Sequence, residues 1–335
     1  MPYHVFQGGR RRRRRRWPVV LAVLALLGAG IAAGLTLADG RGDEKRAQLA
    51  APTVEAPLSN SGPAPLAGGG TAPTALSVRL DDPRDLVRLR FKHQPRSGLL
   101  FDLDTGRVLW RRDPTRVLPI ASLTKMMTAL IIARRVPKGS KVKITREALS
   151  YRGSGVGMFR RGRRVGVETM LHGLLLPSGN DAAIALAQKA GGGTLEGFVR
   201  LMNRRAAAMG LACTHFSSPD GFVNRGNHSC TPDLAALARA VLREPRLARI
   251  VKRRQAVLPF PIKGGKIYLY NHNPLLQQGY KGVTGIKTGY TAVAGRCLVA
   301  TARRGRVRLG VVLLHSPEPG TQARKLLDRG FRLAR

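Results

Sequence analysis

The chain has 335 residues, 43% of them hydrophobic, which is normal for a globular protein and enough for one large domain or two small ones. Its 58 Lys and Arg against 19 Asp and Glu give a net charge of +39, which favours a polyanionic partner. Seven of these charges form the run Arg10–Arg16, and the other +32 are scattered rather than gathered into a helix that could read bases. We therefore expect anionic lipids or acidic wall polymers, and not nucleic acid, among the partners.

The first 38 residues have the pattern of a membrane anchor. A basic segment, residues 1–16, precedes the uncharged run Trp17–Ala38, which is close to the ~20 residues needed to cross a bilayer. A cleaved signal peptide also begins with basic residues, but its apolar part is usually shorter, and no Ala-x-Ala site closes this one. We expect a cytoplasmic tail (1–16), an uncleaved single-pass anchor (17–38) and a body outside the cytoplasm.

A composition rich in Ala, Pro, Gly, Ser and Thr follows the anchor. Such a segment buries too little apolar surface to fold, so residues 39–85 are predicted to be a flexible linker. Order is expected to begin near Leu86, and one domain is expected over residues 86–335.

Helical and strand periodicities alternate along this domain. The predicted elements, in chain order, are a hairpin over 97–113, helices over 122–135, 167–176, 181–190, 195–209 and 233–242, a hairpin over 255–270, strands over 285–291, 295–302 and 307–315, and a helix over 320–331. Early and late strands around a helical block predict an α/β (α+β) fold, in which an antiparallel sheet flanked by helices carries an inserted all-helical lobe. A site would lie in the cleft between sheet and lobe.

The chain has three cysteines, Cys213, Cys230 and Cys297, whose spacing matches no metal site. An oxidising compartment would permit a Cys213–Cys230 disulfide, but the odd count and the lack of other cysteines favour three buried thiols. We expect no metal and no cofactor.

Three short motifs fall on the predicted elements. Ser122-x-x-Lys125 opens a helix, Ser178-Gly179-Asn180 lies in the break between two helices, and Lys287-Thr288-Gly289 lies on a strand. This set, in this order and placement, is typical of penicillin-binding proteins and class A β-lactamases. Ser122 alone would be read as a helix N-cap, and each of the other motifs alone as an ordinary loop or strand.

From about Leu86 onward the chain resembles the low-molecular-weight penicillin-binding proteins, the serine-type D-alanyl-D-alanine carboxypeptidases. The resemblance extends to the segments Pro177–Ala182, Thr214–Phe222 and Gly285–Thr291. It implies a β-lactamase/transpeptidase-like fold, a peptidoglycan stem peptide as substrate, β-lactams as inhibitors, and a location at the bacterial cell membrane. We expect the chain to lack the C-terminal β domain and amphipathic anchor of many relatives.

The residues themselves explain part of the chemistry. A serine hydroxyl needs an adjacent base to attack at neutral pH, and positions i and i+3 share a helix face, so Lys125 can reach Ser122. Burial and a nearby cation such as Lys287 would lower the pKa of Lys125 and leave it neutral part of the time. Ser122 is thus the predicted nucleophile and Lys125 the predicted general base.

The resemblance implies the remaining roles. Ser178 would relay a proton to the leaving amine, and Asn180 would hold Lys125 and the substrate amide. Lys287 and Thr288 would bind the terminal carboxylate. The backbone N–H groups of Ser122 and Tyr290, the latter directly after Gly289, would form the oxyanion hole.

Alternatives to a carboxypeptidase remain open at this point. An acceptor-dependent transpeptidase or endopeptidase would use the same acyl-enzyme. A β-lactamase needs a downstream glutamate, but Glu196 does not match its motif and Glu168 precedes the second motif. A non-enzymatic wall-binding protein would explain the charge but not the motifs. His215 and His228, which could suggest a Ser-His pair, are expected to have structural or surface roles.

Overall fold

The computed structural model describes residues 75–82, 84–222 and 225–334. The strands are β1 (Ser97–Asp102), β2 (Val108–Arg112), β3 (Leu118–Pro119), β4 (Lys141–Lys143), β5 (Arg164–Gly166), β6 (His228–Ser229), β7 (Gln255–Pro259), β8 (Lys266–Tyr270), β9 (Val283–Thr291), β10 (Gly295–Arg304) and β11 (Val307–Leu314). The helices are α1 (Lys125–Arg135), α2 (Arg146–Leu149), α3 (Val167–Leu175), α4 (Asn180–Ala190), α5 (Leu195–Ala208), α6 (Thr231–Arg243), α7 (Pro245–Val251), α8 (Pro274–Gln277) and α9 (Pro319–Leu333).

The main sheet is antiparallel and has the strand order β2-β1-β11-β10-β9. Its alternating side chains divide the core into two layers. On one face Leu100, Leu298 and Leu313 pack with α9, and on the other Leu99 and Val312 join the core of the helical lobe. The expected α/β (α+β) fold, with the lobe inserted between early and late strands, is confirmed.

Helix α1 is the central element of the lobe and packs against α3, α4, α5, α6 and α7. Its residues from Lys125 to Ile132 are buried, because they are apolar or small apart from Lys125 itself. The helix was predicted to begin at Ser122, but Ala121–Thr124 form a 3₁₀ turn and the α-helix begins at Lys125. The lysine of the first motif is therefore held at the very start of a buried helix.

The packed chain extends N-terminal to Leu86, where order was expected to begin. Buried Arg239 on α6 donates hydrogen bonds to the carbonyl oxygens of Leu76 and Ser77, each 2.7 Å long. Arg79 N–H donates to Gly106 O at 2.9 Å. These bonds attach the last part of the predicted linker to the sheet and lobe, which the composition of the linker could not reveal.

The predicted tail (1–16), the predicted anchor (17–38) and most of the predicted linker lie outside the described residues. Among the residues that are described, no helix combines the length and the apolar character needed to span a bilayer.

The expectation of three thiols was wrong, since Cys213 and Cys230 form a disulfide with Cα atoms 5.6 Å apart. The backbones of His215 and His228 pair with each other through two hydrogen bonds of 3.1 Å, which brings the two cysteines into bonding range. Cys297, on β10, remains a buried thiol, and burial raises its pKa to about 12.

Candidate functional site

Ser122 lies in the 3₁₀ turn between β3 and α1, and two glycines allow other backbone segments to approach this turn. A Cβ atom on Gly221 would lie 2.0 Å from Ala121 O. A Cβ atom on Gly289 would lie 2.9 Å from Ile120 O and 3.2 Å from Ser122 N. Larger residues at either glycine would displace the turn, so the strand carrying Lys287-Thr288-Gly289 and the loop carrying Asp220 both depend on glycine to reach Ser122.

Lys125 is fully buried and joins the parts of the site. Its Nζ donates hydrogen bonds to Ser122 Oγ (2.8 Å) and Asn180 Oδ1 (2.6 Å). A third bond runs from Nζ to the carbonyl oxygen of Asp220, at 2.7 Å. The first two motifs are thus connected directly through this one amine.

Burial lowers the pKa of Lys125 to about 8, although the carboxylates of Asp220 and Asp181 raise it in opposition. Burial and a neighbouring cation were both expected to lower this pKa. Burial is the dominant cause, because desolvation disfavours the ammonium form. A lysine with this pKa is neutral in part at neutral pH, and its geometry allows the neutral amine to accept the proton of Ser122.

The second motif lies in the break between α3 and α4. Ser178 is buried with φ +68, and its Oγ has no hydrogen-bond partner among the described residues. Asn180 donates its side-chain N–H to Arg152 O while its Oδ1 accepts from Lys125. The unpartnered hydroxyl of Ser178 is a buried polar group that can still bind or transfer a proton.

The loop of residues 151–157, which the sequence did not single out, borders the second motif. Asn180 N–H donates to Ser154 O at 2.8 Å, and the buried carboxylate of Asp181 accepts from Val156 N–H and Gly157 N–H. Burial raises the pKa of Asp181, while these backbone hydrogen bonds oppose the rise. In the sequence, Asp181 is accounted for by the dipole at the first turn of α4, so it did not point to this loop.

Lys287, in the third motif, is also fully buried, and its Nζ donates to Thr288 O at 2.9 Å. Burial, followed by the charge of Lys125, holds its pKa well below the ordinary value. Lys287 and Gly289 pair with Val299 and Cys297, both in the lobe-side core, so the two residues face the lobe.

The remaining predicted residues differ in their exposure and in their contacts with the site. Thr288 is half-buried on the edge strand, whereas the Tyr290 side chain is 67% exposed, so only its backbone N–H is suited to the role expected of it. His215 and His228 stack on each other, with ring centroids 5.7 Å apart, and His215 Nδ1 bonds Gly226 O. Neither histidine is hydrogen-bonded to Ser122 in the part of the chain that the structure describes.

Comparisons with known proteins agree with this arrangement. Residues 87–318 match the family profile described as D-alanyl-D-alanine carboxypeptidase. The D-alanyl-D-alanine carboxypeptidase DacF of Bacillus subtilis is 34% identical over 247 residues, covering 71% of this chain and 62% of that protein. DacA of Escherichia coli is 36% identical over 256 residues, covering 70% of this chain and 60% of that protein.

A solved structure has a similar fold over its whole length. The Streptomyces K15 DD-transpeptidase is 30% identical and superimposes with a TM-score of 0.69, covering 73% of this chain and 100% of that chain. The chain thus spans less than two thirds of the Bacillus and Escherichia relatives but all of the Streptomyces structure. On the family match and these relatives, the chain belongs to the D-alanyl-D-alanine carboxypeptidase family of serine peptidases.

Proposed function

We propose that this protein is a serine D-alanyl-D-alanine carboxypeptidase that removes the terminal D-Ala from peptidoglycan stem pentapeptides through an acyl-enzyme on Ser122. The observation that carries the proposal is the contact of 2.8 Å between Ser122 Oγ and the buried Nζ of Lys125. The amine has a pKa of about 8, so a base lies within hydrogen-bond distance of the nucleophile.

In the acylation step, neutral Lys125 takes the proton of Ser122 as Oγ attacks the carbonyl carbon of the penultimate D-Ala. The resulting ammonium is held by Asn180 Oδ1 and Asp220 O, the two acceptors already present in the site. The developing oxyanion would be bound by the N–H groups of Ser122 and Tyr290, and losing such a donor typically raises the barrier by about 3–4 kcal/mol. The close approach of Gly289 to Ser122 N supports this pairing of donors.

Lys287 and Thr288 are the proposed anchor for the terminal carboxylate. In the free enzyme the ammonium of Lys287 is disfavoured by burial and by Lys125. A bound carboxylate supplies the missing counter-charge and favours the protonated lysine. We therefore expect substrates that end in a free carboxylate to bind with uptake of a proton, and substrates with an amidated end to bind poorly.

Ser178 is the proposed relay that passes a proton from the Lys125 ammonium to the departing D-Ala amine, which leaves Lys125 neutral again. Its Oγ is buried and without a partner in the described part of the chain, so it is free to hydrogen-bond the leaving nitrogen. Asn180 holds Lys125 in place and would also bind the substrate amide. Water then enters in place of D-Ala and releases the shortened peptide, with Lys125 acting again as the base.

The direct test is release of D-alanine from a stem pentapeptide by the full chain kept in detergent. Ser122→Ala should abolish release and also labelling by a fluorescent penicillin. Ser150→Ala, an exposed serine that bonds Arg146 O, serves as the matched control and should leave both unchanged. Release that survives Ser122→Ala would contradict the proposal.

A DD-transpeptidase is the second candidate, because the Streptomyces K15 protein that this chain resembles in fold bears that name. A transpeptidase would pass the acyl group to an amine instead of water. The discriminating measurement adds glycylglycine to the same assay: a transpeptidase forms mainly the transfer product, whereas a carboxypeptidase forms mainly the hydrolysed peptide. An endopeptidase would instead cleave a cross-linked dimer.

Efficient β-lactam hydrolysis is not proposed. Glu168 is ion-paired with Arg246, and Glu196 lies in the first turn of α5. Neither glutamate is hydrogen-bonded to Ser122 or Lys125 in the described structure, so neither of the two is placed to activate a deacylating water there. Penicillin should form a long-lived acyl-enzyme, which mass spectrometry of the intact protein would detect.

The proposed location is outside the cytoplasm, with the N-terminal segment 17–38 as membrane anchor. The Cys213–Cys230 disulfide supports an oxidising compartment, where such bonds persist. A fusion of alkaline phosphatase after residue 85 should be active in cells, since that enzyme needs its own disulfides. An inactive but intact fusion would contradict the proposed orientation.

A further inference from the structure

Two adjoining recesses lie at the end of α1 that is remote from Lys125. The first, about 440 Å³, is formed where the C-terminal turn of α1 meets α7. The second, about 550 Å³, lies between α7 and the turn joining β10 to β11. Pro245 and Arg249 line both, so the two recesses form one continuous surface, here called the basic groove.

Basic residues make up about half of the lining of the basic groove, and most of the others are apolar. Nine of the residues that line it are basic: Arg134, Arg135, Lys138, Arg246, Arg249, Lys252, Arg303, Arg306 and Arg308. Glu244 is the one acidic residue among those lining it. Arg308 is paired with Asp104 and Arg246 with Glu168, which leaves a large excess of positive charge facing one channel.

Arg246 is the most firmly held basic residue of the basic groove. It is 95% buried, its Nη1 donates to Val136 O at 2.7 Å, and its Nε pairs with Glu168. Its Nη2 has no hydrogen-bond partner in the described part of the chain. This N–H is itself inaccessible to solvent, so Arg246 offers an anion in the first recess its positive charge at the wall rather than a free donor.

The shape and composition of the groove favour a linear polymer over a membrane surface. Proteins that lie on membranes present exposed apolar or aromatic side chains beside their basic ones. The exposed large apolar residues of the described structure, such as Met158, Tyr268 and Tyr290, line neither recess. Seven of the nine basic residues are arginines, whose forked N–H groups suit phosphate.

We propose that the basic groove binds a linear polyanion whose charged groups are phosphates. A chain that enters at Arg134 and Arg135 and passes Arg249 would leave between Lys252 and Arg306. The groove begins where α1 ends, about 15 Å along the helix from Lys125 by the helical rise, so the bound polymer leaves the site at Ser122 open. This inference does not depend on the reaction proposed for that site.

The test measures binding of labelled inorganic polyphosphate to the full chain by fluorescence anisotropy at several salt concentrations. The groove variant neutralises three exposed cations by Arg249→Gln, Lys252→Gln and Arg306→Gln. Its affinity should fall at least tenfold. Losing three phosphate contacts should also reduce the slope of log affinity against log salt by about 2.

A matched control removes the same charge from another basic cluster, by Arg160→Gln, Arg161→Gln and Arg163→Gln, all exposed on the loop before β5. Both variants retain the run Arg10–Arg16, so that run contributes equally to each. The control should lose little affinity, and both variants should keep the melting temperature and the rate of acylation by penicillin.

Three results would overturn the proposal. Equal losses in the groove and control variants would mean that only net charge matters. A groove variant that keeps its polyphosphate affinity but loses binding to phosphatidylglycerol vesicles would identify a membrane surface. If polyglutamate displaced the labelled polyphosphate as effectively as unlabelled polyphosphate does, the groove would have no preference for phosphate over carboxylate.

Discussion

The pKa of Lys125 leads to a quantitative prediction for the pH dependence of acylation. If the neutral amine is the base, the rate should follow its fraction. With a pKa of about 8, that fraction is about 1% at pH 6 and about 90% at pH 9, so the rate should rise about 90-fold between them. The sign is fixed, because protonation removes the base and the rate must fall towards low pH.

The same numbers show what burial contributes. At pH 7 a lysine with the ordinary pKa of 10.5 would be about 0.03% neutral, against about 10% for Lys125. The surroundings of Lys125, in which burial outweighs the opposing carboxylates, therefore increase the reactive form by a factor of roughly 300, equivalent to about 3 kcal/mol. This gain is greater than a single ordinary hydrogen bond supplies, so the environment of the lysine matters as much as its contact with Ser122.

The assay is the rate of acylation by a fluorescent penicillin at saturating concentration, from pH 6 to 9.5. At a saturating penicillin concentration the rate no longer depends on affinity, so the protonation of Lys287, which acts in binding, does not affect the measured rate. Asp220→Asn should move the rising limb to lower pH, because the carboxylate of Asp220 raises the pKa of Lys125. Ser218→Ala removes a hydrogen bond to the same carboxylate but keeps its charge, so the limb should stay in place.

Two results would refute this reasoning. A rate that is flat between pH 6 and 9 would mean that Lys125 is not the titrating base of the acylation step. A limb that moves to higher pH in Asp220→Asn would mean that the carboxylate does not stabilise the ammonium form. Thermal unfolding of each variant would establish that the comparison is between folded proteins.

Three further changes test the packing around the site. Gly289→Ala should slow acylation at least about tenfold by displacing Ser122, whereas Gly166→Ala, where a Cβ meets nothing within 4 Å, should not. Cys213→Ser should lower the free energy of unfolding by about 3 kcal/mol, because the disulfide joins residues 17 positions apart. Thermal unfolding measures this loss, and the control is a variant in which the buried free cysteine, Cys297, is replaced instead. Arg239→Lys should increase trypsin cleavage within residues 75–82, because Arg239 donates to backbone carbonyls there. Unchanged cleavage would mean that those bonds do not hold the segment.

The main sheet and the long helices were predictable because their patterns are local. Alternating apolar residues identify β10 and β11, and the 3.6-residue period identifies α5 and α6 within a few residues of their ends. Strand β3, of two residues, was not predictable. It exists because Leu118 pairs with Ser229 far along the chain, and such pairing leaves no periodic signal.

The disulfide shows the same limit. Counting cysteines gives an odd number, and that argument favoured thiols. The outcome was decided by the backbone pairing of His215 with His228 and by Asp233, whose carboxylate accepts from Cys213 N–H at 2.8 Å. These contacts place the two sulfur atoms together, and no rule based on the number of cysteines contains them.

In the candidate site, too, some groups were predictable from the sequence and others were not. Residues that act through their side chains, such as Ser122, Lys125 and Asn180, are identified by the motifs, and the structure joins all three by hydrogen bonds. Two of the groups that the motifs did not reveal are backbone atoms, the carbonyl of Asp220 and that of Arg152. Every residue has a carbonyl, so residue type cannot mark the ones that act.

Glycine is the one residue type that carries indirect information about such backbone groups. Gly221 follows Asp220 with φ +74 and allows the loop to approach the turn of Ser122, so that the Asp220 carbonyl reaches Lys125. Gly289 does the same for the strand on the other side. A glycine within a motif, or next to an unexplained polar segment, therefore predicts a close backbone approach, and at this site both such approaches end at the turn that carries the nucleophile.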